Sequence, residues 1–325
     1  MIGWPSHFDP WGEPFEAARR EIAGLANAIL STAPANGMAS TRVTLVLDGD
    51  EAERVARAAV PDAFIINTAC GDTWIRDTGP ILARNGRQLV ANTFRFNGWG
   101  EKYIYPGDAD LSGRLASQLE ASVISHEFVL EGGSVDWDGA GHLLTTDECL
   151  INPNRNKGWT RDTAEMALEN AFGVENIIWI AQGLLNDHTD GHIDNLARFV
   201  GPGKVVCQAP NGSDDPHAER LLAIEETLRS YRNRNGEALE VITLPSPGRV
   251  LDEDGDVMPA SHMNFVITNQ AIVIPAYNDH VADAAGVMSG LFPDRAVLTR
   301  PARSILTGGG AFHCISQQIP SAVGG

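Results

Sequence analysis

Phe15, Ala18, Ile22, Leu25 and Ile29 recur at three- and four-residue spacing, which predicts an amphipathic helix with Pro14 placed as its starter. Next comes "TRVTLVLDG" (41–49), a short apolar run that reads as a buried strand. "DEAERVARAAV" (50–60) reads as a helix and "AFIIN" (63–67) as another strand. Strand, helix, strand in that order predicts an α/β protein.

A loose repeat follows. In each unit a polar, often Gly-bearing motif precedes two strand-like runs around a turn. "DTWIRDTGPILARNGRQLVANTF" turns at Asn85-Gly86, "EGGSVDWDGAGHLLTTDECLINP" at Asp138-Gly139, "DGHIDNLARFVGPGKVVCQAP" at Gly201–Gly203 and "ASHMNFVITNQAIVIPA" near Asn269-Gln270. Amphipathic helices are predicted after several of them, at 162–173 and 217–233 for example. The motifs begin near residues 71, 131, 191, 262 and 309. Each carries a different reactive-looking cluster, so we read the units as arranged around a shared centre, each lending one loop to a common site. The expectation is one catalytic domain over residues 1–325.

Composition narrows the class. A chain of 325 residues that is 43% hydrophobic can bury a large core. No apolar run reaches the roughly 18 residues of a membrane span, and the N-terminal stretch "MIGWPSHFDPWGEPFE" lacks the pattern of a secretory signal. The four cysteines, Cys70, Cys149, Cys207 and Cys314, form no CxxC pair, which fits a reducing cytoplasm. A net charge of −18 argues against a nucleic-acid partner and favours solubility and cationic ligands.

Four clusters could carry chemistry. In "GDTWIRDTGP" (71–80), Asp77 precedes a Gly-Pro break, which a simple turn would also explain. In "LEGGSVDWDG" (130–139), Glu131 precedes two glycines that permit close backbone approach, or merely a strand entry. "NDHTDGHIDN" (186–195) holds Asp187, His188, Asp190, His192 and Asp194, a set suited to a metal, to acid–base chemistry or to a structural polar cluster. Gly191 and the Thr/Asp content oppose a helix there; on a strand, His192 and Asp194 would share a face. In "LTGGGAFHCISQQIP" (306–320), Gly308, Gly309 and Gly310 precede His313 and Cys314, a nucleophile candidate or a small buried hydrophobe. The other three cysteines are expected in the core, and the acidic run "LDEDGDVM" (251–258) in a solvated loop.

Several carboxylates, one thiol and one imidazole, without a clear metal set, match a permanent planar cation. Guanidinium is that cation, with five donors in a rigid fork that carboxylates satisfy pairwise. Carboxylates can fix it while a thiolate attacks its carbon and an imidazole moves protons.

The blocks "GWP" (3–5), "WIRDTGP" (74–80), "FNGWGEKY" (96–103), "LEGGSVDWDG", "LLTTDECLINPNRN" (143–156), "DGHIDN" (190–195), "MPASHMNFVITNQAIVIP" (258–275) and "GGGAFHCISQQIP" (308–320) resemble the agmatine deiminase and bacterial-type peptidylarginine deiminase family of guanidino-modifying enzymes. The resemblance spans most of the chain. It implies an α/β five-bladed propeller, the pentein fold, and a cysteine hydrolase with no metal or organic cofactor. Carried over residue by residue, Cys314 matches the nucleophile that forms an amidino-cysteine intermediate, and His192 the general acid/base. Asp77 and Asp194 match the guanidinium-gripping carboxylates, with Glu131, Trp74, Gly309 and Gly310 lining the pocket. Two positions depart from the pattern. His188 stands where such enzymes carry a Glu for the substrate's distal amine, and His262 where they often carry Tyr; Asp187 is the neighbouring carboxylate that could compensate. The implied reaction is agmatine to N-carbamoylputrescine and ammonia, in polyamine synthesis from arginine, with no nucleic-acid or membrane partner; relatives of the type commonly form homo-oligomers. The alternatives are a deiminase for another guanidino compound or peptidyl-arginine, a metal-dependent hydrolase built on residues 187–194, and a non-catalytic guanidino-binding protein.

Overall fold

The computed structural model describes residues 1–34 and 38–321. Among these residues fifteen strands form five sheets of three, each drawn from one contiguous stretch of chain. They are β1 (Ile2–Gly3), β2 (Thr44–Leu47) and β3 (Phe64–Asn67); β4 (Ile81–Asn85), β5 (Gln88–Arg95) and β6 (Ser122–Val129); β7 (Asp136–Trp137), β8 (His142–Thr146) and β9 (Asn176–Ile180); β10 (Ala197–Gly201), β11 (Lys204–Ala209) and β12 (Glu240–Pro245); β13 (Val266–Ile267), β14 (Ala271–Ala276) and β15 (Ala296–Pro301).

Four of the sheets share one plan. An antiparallel hairpin is followed by a helix and a third strand parallel to the second. The hairpin turns fall at the four expected places. Gly86, Gly139 and Gly203 have φ of 59°, 71° and 62°, backbone that a side chain resists, and this is why a turn could be read there. The helices Asp108–Gln118, Arg161–Phe172, Ala218–Ser230 and Val281–Leu291 carry the chain to the parallel strand, as Asp50–Ala59 does between β2 and β3. The helix from Arg161 starts where Thr160 accepts a hydrogen bond from the Thr163 amide, and stops at Gly173 in left-handed conformation. The middle strands β8, β11 and β14 are almost wholly buried, so each carries consecutive apolar residues (Leu143-Leu144, Val205–Cys207, Ala271–Ala276) rather than an alternation. No helix among the described residues is long and apolar enough to cross a membrane.

The first sheet departs from this plan. Its β1 is parallel to β2 and its antiparallel neighbour comes from the far end of the chain. Ile2 bridges Ser316, the Gly3 amide donates to the Ile315 carbonyl at 2.8 Å, and the Gln317 amide donates to the Met1 carbonyl at 3.0 Å. The fifth motif, near residue 309, therefore has no strand pair after it in sequence; residues 2–67 supply its sheet. The five α/β units form the five-bladed pentein propeller that the resemblance implied.

Gly3 sits at this closure. A Cβ there would lie 1.9 Å from the Thr73 carbonyl oxygen, which belongs to packed backbone. At Gly139 a Cβ would meet no atom within 4 Å, and only its positive φ resists substitution. Gly3→Ala should therefore destabilise by about 1–3 kcal/mol or more through overpacking. Gly139→Ala should cost about 1 kcal/mol of left-handed strain. Paired denaturant melts check the order, and equal losses would contradict it.

Candidate active site

The five motif loops meet at one end of the blades. Asp77 comes from the short helix Ile75–Thr78, Gly133 from the turn Gly132–Ser134, His192 and Asp194 from the entry and body of the 3₁₀ turn Ile193–Asn195, Asn264 from the loop before β13, and Cys314 from the closing segment. His192 and Asp194 thus lie on a tight turn rather than on a strand, so they reach the centre by turn geometry and not by two-residue alternation.

Cys314 is pinned by backbone and by Asn264. Its carbonyl accepts from the Arg76 amide at 3.1 Å, and its amide donates to Asn264 Oδ1 at 3.2 Å. Asn264 Nδ2 lies 3.1 Å from Cys314 Sγ and also donates to Asn195 Oδ1 at 2.9 Å. Asp77 accepts from the Gly133 amide (2.8 Å) on one oxygen and from Trp99 Nε1 (2.9 Å) on the other. Asp194 Oδ2 lies 2.7 Å from His313 Nδ1 and 3.7 Å from Cys314 Sγ, while its Oδ1 has no partner. His192 Nε2 lies 3.3 Å from Glu131 Oε2; its Nδ1 is unpartnered and 3.8 Å from Asp77 Oδ2. Neither Asp77 nor Asp194 forms an ion pair with Arg or Lys among the described residues.

The electrostatics follow from burial. Burial raises the Asp77 carboxyl, and burial with the neighbouring Asp77 charge lifts Asp194 to about 7. Burial, then Asp194 and Asp77, push the Cys314 thiol well above its ordinary value, so the empty site holds a thiol. Burial opposes a charge on His192, but Asp77, Cys149 and Glu131 outweigh it and hold the imidazole protonated. His313 is the reverse case: burial, then Arg198, Arg76 and His192, keep it neutral, so it can donate Nδ1–H to Asp194.

Behind His192 is a chain of charges. Glu131 Oε1 accepts from Arg155 Nε at 2.7 Å, Arg155 Nη1 donates to Asp190 at 2.6 Å, and Lys102 pairs with Asp190 at 2.9 Å. Burial disfavours ionised Glu131, but His192 and Arg155 outweigh it and lower its pKa. Glu131 does not line the pocket as expected. It stands behind His192, fixing the ring's orientation.

The cavity has a volume of ≈150 Å³, and Asp72, Trp74, Asp77, Trp99, His188 and Cys314 are among the residues that line it. Gly309, at φ +109°, contributes bare backbone, and a Cβ on it would lie 3.2 Å from His188 Nδ1. A Cβ on Gly310 would lie 2.7 Å from the Trp74 ring and 3.1 Å from the Cys314 sulfur, so its absence lets indole and thiol pack together. His188 is on the cavity wall, as its sequence position suggested. Asp187 is not: its carboxylate accepts from the Thr189 amide (2.9 Å), Thr189 Oγ1 (2.6 Å) and Asn195 Nδ2 (3.3 Å). It braces its own loop and is not free to meet a ligand. His262 is also away from the cavity, wholly buried with Nδ1 2.9 Å from the Pro245 carbonyl.

The 187–194 cluster does not assemble into a metal set. Among the described residues, three His, Cys or carboxylate ligand atoms come within 4.8 Å of one another only at Glu131, Cys149 and His192, and there Arg155 already supplies the positive charge. Cys149 is therefore more than a core cysteine: its Sγ lies 3.5 Å from Glu131 Oε2. Cys70 and Cys207 lie in apolar clusters, as expected. The structure adds Asp72, Trp99, Arg155 and Asn264 to the residues singled out from sequence. All four sit in blocks quoted above, but no spacing rule marks an Asn or an Arg as the neighbour of a thiol 50 or of a glutamate 24 residues away.

A thiol beside two carboxylates that share one imidazolium and have no Arg or Lys partner among the described residues, enclosed by five α/β blades, defines an amidine-hydrolysing pentein enzyme. The comparisons carry this to the family. Residues 1–320 match the Porphyromonas-type peptidyl-arginine deiminases. A Legionella pneumophila protein provisionally named an agmatine deiminase is 35% identical over 99% of this chain and 91% of its own length. Among solved structures, the Enterococcus faecalis agmatine deiminase superposes with a TM-score of 0.90 at 26% identity, covering 99% of this chain and 93% of that one. The C. jejuni agmatine deiminase with substrate bound superposes with a TM-score of 0.86 at 27% identity, covering 98% and 92%. The chain belongs to the Porphyromonas-type peptidyl-arginine deiminase family.

Gly133 tests the geometry. A Cβ there would lie 2.5 Å from His192 Nδ1, 3.0 Å from Asp77 Oδ1 and 3.2 Å from Asp194 Oδ2. Gly133→Ala should displace groups by a fraction of an ångström and lower ammonia release from a guanidino substrate by about 100-fold. Circular dichroism and the melting temperature should show the fold retained; a fully active variant would contradict the proximity described.

Proposed function

We propose that the protein hydrolyses the guanidino group of agmatine, giving N-carbamoylputrescine and ammonia. The observation that carries this is a pair of buried carboxylates beside one thiol: Asp77 lines the cavity with Cys314, Asp194 lies 3.7 Å from Cys314 Sγ, and among the described residues no Arg or Lys is paired to either. Buried charge is stable when paired. A planar cation with donors on two edges supplies what both carboxylates lack.

The mechanism follows from the charges. When the guanidinium enters, its positive charge lowers the pKa of Asp77, Asp194 and Cys314 together, reversing the effect that held the thiol protonated. Cys314 releases its proton to solvent as the cation binds, and its sulfur adds to the guanidinium carbon, forming a C–S bond and a tetrahedral centre. His192, held protonated by Asp77 and Glu131, gives a proton through Nδ1 to the departing nitrogen. The C–N bond breaks, ammonia leaves, and a cysteine-bound amidino intermediate remains. Now neutral, His192 takes a proton from water, which adds to the same carbon. The C–S bond then breaks, regenerating the thiolate and releasing the ureido product. Asn264, with Nδ2 at 3.1 Å, donates toward the sulfur whenever it carries charge. The net change is one water in and one ammonia out.

Two measurements test this reading. Cys314→Ala should abolish ammonia release from agmatine while calorimetric binding persists, because the carboxylates that hold the cation remain; turnover by that variant would reject the mechanism. The pH profile gives the second. Asp194 is raised to about 7, and it must be ionised to hold a guanidinium. It becomes neutral as pH falls through that value, so kcat/KM for agmatine should fall on the acid side of about 7. A profile flat through that region contradicts the role given to Asp194.

A further inference from the structure

The catalytic reading leaves one carboxylate on the cavity wall unexplained. Asp72 is buried, with a relative exposure of 8%, and lines the same cavity as Cys314. Its oxygens accept from three neutral donors: Trp11 Nε1 at 2.8 Å and the Thr73 amide at 2.7 Å on Oδ1, and Trp74 Nε1 at 2.7 Å on Oδ2. Among the described residues it makes no ion pair, and burial outweighs its hydrogen bonds to push it up to about 6. A buried carboxylate held by neutral donors alone is short of a positive charge.

The other acidic groups near the cavity mouth are committed. Asp187 braces its loop, and Asp190 is held by Arg155, Lys102 and Asn154. Lys102 is taken up by Asp190 and the His188 carbonyl. The amides of Gly71 and Asp72 both point to Asp108, whose buried Oδ2 is unpartnered and which adds negative charge beside Asp72. Tyr103 and Tyr105 also line the cavity, and aromatic faces favour cations.

Trp74 sets the distance between Asp72 and the reacting carbon. Its ring packs on Gly310 and Cys314, and Nε1 of the same indole donates to Asp72. One indole therefore separates the thiol from Asp72, and Trp11 stacks on its other side with centroids 5.7 Å apart. A few methylenes can lie along that indole with a guanidinium at one end and a second polar group at the other.

Building on the deiminase reading, we propose that Asp72 receives the primary ammonium at the far end of the substrate, making the protein selective for dicationic guanidino-alkylamines. Asp72 thereby takes the part for which His188 provides no carboxylate. A substrate bearing a carboxylate at that end, such as arginine, meets like charge there.

The test compares agmatine with n-butylguanidine, which has the same carbon chain and no amine. The wild-type protein should show kcat/KM for agmatine about 10- to 100-fold above that for n-butylguanidine, the range of a charged hydrogen bond. In Asp72→Asn this ratio should collapse toward one, with the loss carried by the KM for agmatine rather than by kcat. If Asp72→Asn loses both substrates in equal proportion, Asp72 is a structural residue and the inference is overturned. Should that variant fail to fold, the wild-type ratio decides: a ratio near one overturns the inference. A wild-type protein that releases ammonia from neither compound overturns the deiminase reading itself.

Discussion

The arrangement of this site depends on a deficit of positive charge in a buried place. Asp77 and Asp194 are removed from water and given neutral donors, from Gly133, Trp99 and His313, but no Arg or Lys partner. Burial and their negative field raise the Cys314 thiol and favour its protonated form. In the mechanism proposed above, the same field draws in a cation and that cation removes the obstacle to thiolate formation, so selectivity for the substrate and activation of the sulfur are one electrostatic effect.

The site also separates two uses of carboxylates. Glu131 is paired with Arg155 and stays ionised behind His192, as a fixed support. Asp77, on the cavity wall, and Asp194, beside Cys314, have no such pairing among the described residues. Had Arg155 reached Asp194 instead of Glu131, the pocket would already hold its guanidinium, in the form of a side chain. A buried ion pair contributes orientation, whereas an unpaired one contributes affinity for something not yet bound.

Much of the fold was legible in the sequence, because three of its hairpin turns use glycine at positive φ and the middle strands β11 and β14 are mostly apolar and buried. The four hairpins and most of the predicted helices and strands fall where the pattern put them. What the pattern could not give was the origin of the fifth blade's strands, since the bridge from Ile2 to Ser316 has no local signature. The site was legible to the same degree. Cys314, His192, Asp77 and Asp194 stood out through their glycine-rich settings and the family resemblance. Asp187 and Asp194 look alike in one short cluster, yet one carboxylate turns inward to brace Thr189 and Asn195 and the other faces the thiol. Three-dimensional partners decide this, and no periodicity encodes them. Asn264, Arg155 and Asp72 went unread for the same reason.

The seam where residues 1–3 meet residues 315–317 has a consequence for how the molecule matures. Cys314 lies one residue from that seam, so its surroundings are assembled only once chain segments more than three hundred residues apart in sequence have found each other. Contacts of such long range form late, because their closure entropy must be met before they stabilise anything. Until then the sulfur is an ordinary thiol with no neighbouring field. The last contacts to form are also those that make the protein reactive, and a chain arrested part-way would carry four blades and no chemistry.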